Sequence, residues 1–397
     1  MASIINNTFG QETHPRLDKN DTANIPYPCN GYKSLCQKRY DQVSSLCTHN
    51  SFAYKKISPL SNQDLDFSAQ LESGVRAFML DLHKPALTQV ENFIDGLGKE
   101  IFGEKREYGA SDQAENNTSG RNAIHLCHAN CVLLDMGRLY THLETFKKFL
   151  DDNPREIITF IIENFDDFPA TRIEKDFQRS GLDKYVFTPK SEAQNQDGTY
   201  SWDTLESMIN ADKRLVVFTD KGADTKSVKW LLPEWEYVTE TPFKNIINKT
   251  ELSCDADRPA DHGMHPLYVL NHFSYKESKI LNVDFSVPQP KEEVEKSKFN
   301  DIESFRKHIS VCKQKWGDAT IPNYLAVDWF EVGDGLQAVA EINGVSDEER
   351  IHPGHGKYGE ADSSGVSIGA HNQMYQMCSI YTVIYLILYF LVALKFI

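Results

Sequence analysis

The chain has 397 residues, 40% of them hydrophobic, enough to bury the core of one large domain of about 250–330 residues with appendages. Its 42 Lys and Arg against 57 Asp and Glu leave a formal net charge of −15, which repels phosphate polymers and excludes non-specific nucleic-acid binding. A phosphate-bearing substrate therefore needs local positive charge or a metal. Eight cysteines without a Cys-x-x-Cys pair exclude a zinc ribbon and are too few for a disulfide scaffold.

In chain order, residues 1–28 form a polar lead without the apolar core of a signal peptide, and disorder is expected there. Cys29 and Cys36 flank a Pro/Asn/Gly-rich segment suited to a small loop-closing disulfide. Together with the Asn-x-Ser/Thr triplets at Asn6, Asn20, Asn116, Asn117 and Asn248 they favour an extracellular or lumenal protein. The main domain is expected over 29–345, interrupted by an insertion at 84–123 whose Asn/Ser/Gly-rich centre reads as a decorated loop or a lid. A polar spacer at 346–377 leads to 378–397, an apolar run whose one charge is Lys395, long enough to cross a bilayer. Ser363-Ser364-Gly365 upstream matches the layout of a GPI-attachment signal; a retained tail-anchor and a buried terminal helix are the rival readings.

Within the main domain, short apolar runs predict strands at 45–49, 75–81, 124–128, 157–163, 215–219, 236–239, 267–272 and 325–328. Helix-like segments fall between them at 64–72, 136–151, 170–179, 202–211 and 302–315. Runs such as Ile157-Ile158-Thr159-Phe160-Ile161-Ile162 suit parallel strands covered on both faces. The alternation predicts an α/β protein, a (β/α)8 TIM-type barrel of irregular form with a single catalytic domain.

Such barrels carry their chemistry at the C-terminal ends of the strands. Those ends hold His49-Asn50, Asp81, His128, Glu163-Asn164, Asp220-Lys221, Asn271-His272 and Asp328. Two histidines, in Thr48-His49-Asn50-Ser51 and in Leu126-Cys127-His128, can exchange protons near neutral pH, so an acid/base enzyme is indicated.

The stretch from Cys29 to Asp334 resembles the phosphatidylinositol-specific phospholipase C X-domain-like phosphodiesterases, in particular their secreted or GPI-anchored fungal and plant branch. The matching words include Cys29-Asn30-Gly31, Thr48-His49-Asn50-Ser51-Phe52, Asn62-Gln63, Gly74-Val75-Arg76, Met79-Leu80-Asp81, Leu126-Cys127-His128, Ile162-Glu163-Asn164 and Ala326-Val327-Asp328, in the family's order and spacing. The resemblance implies that His49 takes the proton from the inositol 2-hydroxyl, that His128 protonates the departing alcohol, and that Asp328 fixes the tautomer of His49. A membrane phospholipid or glycolipid would be the substrate, and the chain is expected to act as a monomer.

The resemblance also implies calcium, with oxygen ligands at Asn50, Asp81 and Glu163, although a further acidic ligand of the calcium-dependent relatives falls at Met79. The metal-free bacterial relatives carry an arginine where Asp81 stands. Without a metal, Lys221 or His83 would provide the positive charge. Lys221, Asn271 and His272 are expected at the substrate, with His272 against Phe273 equally readable as a packed side chain; Arg76 reads as a structural ion pair. Trp230-Leu231-Leu232 and Trp235 read as core packing, or as a loop that dips into a membrane interface. Two other readings remain, a glycerophosphodiester phosphodiesterase and a non-catalytic surface protein; the first usually shows His-Arg-Gly where this chain has His49-Asn50-Ser51.

Overall fold

The computed structural model describes residues 28–54, 58–86, 120–189, 202–246, 252–259, 265–280, 283–317, 320–346 and 350, all within a unit running to His355. The five glycosylation triplets, most of the 84–123 insertion and the apolar run at 378–397 lie outside the described residues. Among the described residues no helix is long and apolar enough to cross a membrane.

The elements in chain order are β1 (Ser45–Thr48), α1 (Phe67–Ser73), β2 (Ala77–His83), β3 (His125–His128), β4 (Leu134–Arg138), α2 (Leu139–Asp152), β5 (Ile158–Asn164), α3 (Ala170–Ser180) and α4 (Leu205–Asn210). Then come β6 (Leu215–Thr219), β7 (Leu231–Pro233), β8 (Val238–Glu240), β9 (Leu267–His272), β10 (Tyr275–Ile280), β11 (Val283–Pro288), α5 (Lys291–Ser297), α6 (Ile302–Trp316), β12 (Tyr324–Val327) and α7 (Gly335–Asn343). Local chemistry sets several boundaries. Asp66 caps α1 by accepting from the Ala69 amide at 3.0 Å, and Gly74 ends that helix at φ 108°, so it begins later than the expected 64–72. Thr204 caps α4 in the same way, which shortens the helix expected over 202–211.

Eight strands run parallel in the order β7-β6-β5-β2-β1-β12-β9-β8, which is chain order around a curled sheet, the arrangement of a (β/α)8 barrel. The ladder is not hydrogen-bonded between β7 and β8. Only residues 234–237 separate these two strands, and a parallel pair needs a crossover of a dozen or more residues. The missing crossover helix is therefore the cause of the gap.

Eight strands were expected, but not these eight. The run at 124–128 is β3, which pairs antiparallel with the end of β2 and with β4, and so forms a hairpin standing on the barrel rim. Its partner β4 takes Met136 to Arg138 out of the helix expected over 136–151. The remaining barrel strand is β7, which holds Leu231 and Leu232 in the ladder, with Trp230 packed at 4.6 Å on Phe177. Three residues are too few for a periodic signal. The β10–β11 hairpin was likewise not expected.

Strand alternation sorts side chains into two layers. Leu46, Phe78, Leu80, Phe160 and Leu325 point outward and pack under the helices, while Cys47, Ala77, Met79, Ile161, Phe218 and Ala326 fill the barrel. Residues 28–43 close the N-terminal mouth. There the expected Cys29–Cys36 disulfide forms, and the Tyr40 hydroxyl lies 2.6 Å from both Thr159 Oγ1 and the Tyr324 hydroxyl. Arg76 makes the expected structural pair with Glu156 at 2.7 Å. Two further disulfides join Cys127 to Cys131 and Cys254 to Cys312.

The same alternation removes His272 from the substrate side. Asn271 and Phe273 face inward, so His272 between them faces outward and is wholly buried against Phe299, Phe305 and α6. Its Nε2 donates to the Phe299 carbonyl at 2.9 Å, leaving Nδ1 to accept from His308 Nδ1 at 3.1 Å. Burial lowers the pKa of His272 from 6.5 to about 4; burial and then the charge of His272 lower that of His308 to about 3. Both rings are neutral when folded and regain the ordinary value when unfolded, so the unfolded chain binds more protons between these limits. Stability is therefore full above about pH 6.5 and falls as the pH drops towards about 4, by about 1.4 kcal/mol per histidine per pKa unit. Urea unfolding of the wild type and His272→Phe at pH 7 and pH 4.5 checks this: the variant is expected to lose less stability on acidification, and equal losses would refute the assignment.

Candidate active site

At the C-terminal rim the inner-facing positions turn from apolar to polar. Cys47 is followed two residues on by His49, Met79 by Asp81, Ile161 by Glu163, Val238 by Glu240, Val269 by Asn271 and Ala326 by Asp328. Ladder register keeps these ends level: Asp81 lies opposite Glu163, and Cys47 opposite Ala326. All of these polar residues but Asp328 line a pocket of about 170 Å³, which His128, Phe165, Phe243, Arg258 and Tyr275 also line.

His49 is held on three sides. Its Nδ1 lies 2.9 Å from Asp328 Oδ1, which also accepts from Asn62 Nδ2 at 2.9 Å, and its ring stacks on Phe273 with centroids 3.8 Å apart. A carboxylate partner places the proton on Nδ1 and leaves Nε2 as a base. The loop after β1 is braced from below: Gln63 Nε2 donates to the carbonyls of His49 and Val327, and Gln70 Nε2 donates to that of Ser51. These buried amides pair backbone groups that the end of β1 leaves open.

His128 arrives on the β3–β4 hairpin, whose turn is closed by the Cys127–Cys131 disulfide. Its Nδ1 donates to the Leu60 carbonyl at 2.5 Å, so Nε2 faces the pocket unprotonated in the neutral ring. Burial lowers the His128 pKa from 6.5 to about 4; the Leu60 carbonyl opposes this and a charge on His49 adds to it.

Asn50, at φ 43°, lies between the two histidines. One orientation of its amide has the nitrogen donating to the Asp81 oxygens at 3.1 and 3.2 Å and the oxygen 3.3 Å from Nε2 of both His49 and His128, where it can accept from whichever ring carries a proton on Nε2. The two imidazoles thus converge on one small volume, the arrangement needed to remove a proton at one place and return one at another.

The pocket floor is acidic. Asp81 is held well above the usual carboxylate range by burial, then by the charges of Glu163 and Asp220, with Arg258 pulling the other way. Burial and Glu240 similarly raise Glu234, beneath the gap between β7 and β8. Arg258 Nη1 donates to Glu163 Oε1 at 2.6 Å, and its Nε and Nη2 donate to Glu240 Oε2 at 2.8 and 2.5 Å. Burial works against the guanidinium, but Glu240, Glu163 and Glu234 outweigh it and raise its pKa.

Of the residues expected from sequence, His49, His128, Asn50, Asp81, Glu163 and Asn271 line this pocket, and Asp328 touches it through His49. Asn271 Nδ2 donates to the Thr241 carbonyl at 2.7 Å, while its Oδ1 is buried without a partner. Lys221 is not at the pocket. Val216, Phe218 and Asp220 carry the inward parity of β6, so Lys221 turns out to Asp167, 3.4 Å away, and is half exposed. His83 is stacked on Phe165 and lies 3.7 Å from Asp166, outside the pocket lining.

Of the donors expected for calcium, Asn50, Asp81 and Glu163 all line the pocket, where Arg258 competes with any cation for Glu163. Asn50 turns its nitrogen toward Asp81, one oxygen of Glu163 is taken by Arg258, and Met79 and Ile161 are the inner neighbours. Calcium takes six to eight oxygens. Among the described residues, three groups of His, Cys, Asp or Glu come close enough to share an ion, and neither Asp81 nor Glu163 is in any of them. Each of those groups includes disulfide-bonded sulfur.

Sequence reasoning missed Arg258, Tyr275, Phe243 and the roles of Asn62 and Leu60. Asn62 stood in a motif that matched the family; Arg258 lies between β8 and β9 in a stretch without periodicity and carried no signal.

The family model PI-PLC X 1 matches residues 35–92 and 111–343. The chain is 30% identical over 327 residues to PI-PLC X domain-containing protein 1 of Arthroderma benhamiae, covering 80% of this chain and 90% of that protein. It is 28% identical over 328 residues to an uncharacterized secreted protein of the same organism, 80% of this chain but 64% of that longer relative. Among solved structures, the phosphatidylinositol-specific phospholipase C of Listeria monocytogenes superposes with a TM-score of 0.44 at 14% identity, over 78% of this chain and 94% of that one. With more than half of its length matched by the family model, and a 30% identical relative matched almost end to end, the chain belongs to the PI-PLC X domain family.

Proposed function

We propose that this protein is a phosphodiesterase that cleaves an inositol phospholipid or a glycosyl-inositol phospholipid by internal attack. The observation that carries the reading is the convergence of His49 Nε2 and His128 Nε2 on the Asn50 oxygen, 3.3 Å from each, with Asp328 behind His49. His49 Nε2 takes the proton of the inositol 2-hydroxyl, whose oxygen forms a bond to the adjacent phosphorus. The bond from phosphorus to the lipid alcohol breaks, and protonated His128 gives that oxygen its proton. The products are a cyclic 1,2-phosphate and a free alcohol, with no covalent enzyme intermediate. Asn271 and Tyr275, which line the same pocket, would meet the ring hydroxyls.

Three disulfides among the described residues support an oxidising compartment, and the secreted relative supports the outside of the cell. In this reading the apolar run 378–397 directs the protein to the membrane, either as a retained span or as the tail that is removed when a GPI anchor is attached.

Phosphorus NMR of phosphatidylinositol incubated with the protein tests the chemistry. A cyclic inositol phosphate signal is expected, with His49→Ala and His128→Ala each slower by about 10²–10⁴-fold. No product from the folded protein would favour a non-catalytic surface role. The pH dependence is a separate check. His128 must be protonated to act as the acid, yet in the free pocket it charges only near pH 4. The kcat/KM profile reports the free enzyme, so it should fall as pH rises from weakly acidic values towards neutral. The substrate phosphate favours the imidazolium, so kcat should fall at a higher pH than kcat/KM. Coincident profiles would count against His128 as the acid.

A further inference from the structure

We infer that the Arg258 guanidinium is the built-in cation of this pocket, occupying the charge position in which Asn50, Asp81 and Glu163 would otherwise hold a divalent ion, so that the site works without calcium. Only the activity arm of the test below depends on the phosphodiesterase reading.

Among the described residues that line the pocket, Arg258 is the one lysine or arginine, set among Asp81, Glu163 and Glu240. A transferring phosphoryl group places negative charge beside these carboxylates, which needs a positive partner. Arg258 is bound as a fork across two strands, to Glu163 at the end of β5 and to Glu240 at the end of β8, which spans the side of the barrel where the ladder is open. Three of its five N–H groups are taken by these carboxylates, and the Arg258 side chain remains a quarter exposed.

Its backbone is fixed with equal care. Glu240 N donates to the Arg258 carbonyl at 2.8 Å and Asp257 N donates to the Glu240 carbonyl at 2.9 Å, so the segment is added to the edge of β8. Four residues earlier the Cys254–Cys312 disulfide ties it to α6, where Trp316 Nε1 also donates to the Cys254 carbonyl at 2.8 Å. The aromatic rings of Phe243 and Trp235, at 4.4 and 5.3 Å from the guanidinium carbon, complete the seat. A group held this firmly resembles a fixed ion more than a mobile surface arginine.

Calorimetric titration of calcium into the full chain, wild type and Arg258→Gln, tests the assignment without reference to turnover. Wild type is expected to show no binding. Arg258→Gln frees Glu163 and Glu240 and should bind calcium weakly, with Kd about 10⁻⁴–10⁻³ M. Binding by the wild type, or by neither protein, would overturn the inference. Arg258→Lys keeps the charge without the fork and should bind no calcium, and Arg258→Met, which removes the charge, takes the place of the glutamine variant if that does not fold. In the activity arm, wild-type cleavage of phosphatidylinositol should be unchanged by excess chelator. Arg258→Gln should be slower by about 10²–10³-fold, with about tenfold of that recovered by added calcium. If no form cleaves the lipid while calcium still binds only to Arg258→Gln, the function proposed above falls and the charge assignment stands.

Discussion

The register of the parallel ladder is the constraint on which the site depends. Neighbouring parallel strands keep their residues level, and each strand alternates inward and outward, so a single parity choice per strand decides what meets at the rim. In β1, β2, β5, β8, β9 and β12 the inward parity ends on His49, Asp81, Glu163, Glu240, Asn271 and Asp328. A slip of one residue in any of them would exchange a pocket group for a core group, and the apolar residues packed under the helices hold each strand against that slip. The pocket is thus specified by the same packing that stabilises the barrel.

The rim gathers buried acids, which is costly unless opposite charge is near. Two devices offset that cost here. Asp81 keeps its proton more readily than a free carboxyl and accepts from the Asn50 amide, so it needs no full counter-charge. Glu163 and Glu240 share the Arg258 guanidinium. The two histidines have different partners, His49 the Asp328 carboxylate and His128 the Leu60 carbonyl.

Departures from a regular barrel sit next to the site and supply parts of it. The short link at 234–237 leaves the ladder open, and Arg258 from the following segment reaches across that side. The β3–β4 hairpin replaces a simple connection after β2, and a rim hairpin rather than a barrel strand delivers His128. The β10–β11 hairpin begins at Tyr275, another wall of the pocket. Regular barrel strands provide the level floor, and irregular insertions provide His128, Arg258 and Tyr275.

The amino-acid sequence by itself determined the alternation of apolar strands with helices, the two histidine words and Asp328, because each is a local pattern of residue type at short spacing. It also held more than was read from it. The parity of Asn271 and Phe273 already excluded His272 from the pocket, and that of Phe218 and Asp220 already excluded Lys221, since adjacent strand residues cannot share a face. Three matters belong to the tertiary structure alone. Which short apolar run entered the barrel, β7 rather than β3, depended on the partners available to each. The place of Arg258 depended on a disulfide between residues 254 and 312 and on pairing with β8, contacts that no local spacing encodes. The pairing of Glu163 depended on a guanidinium that comes from 95 residues beyond it in the chain and meets it only in the folded barrel.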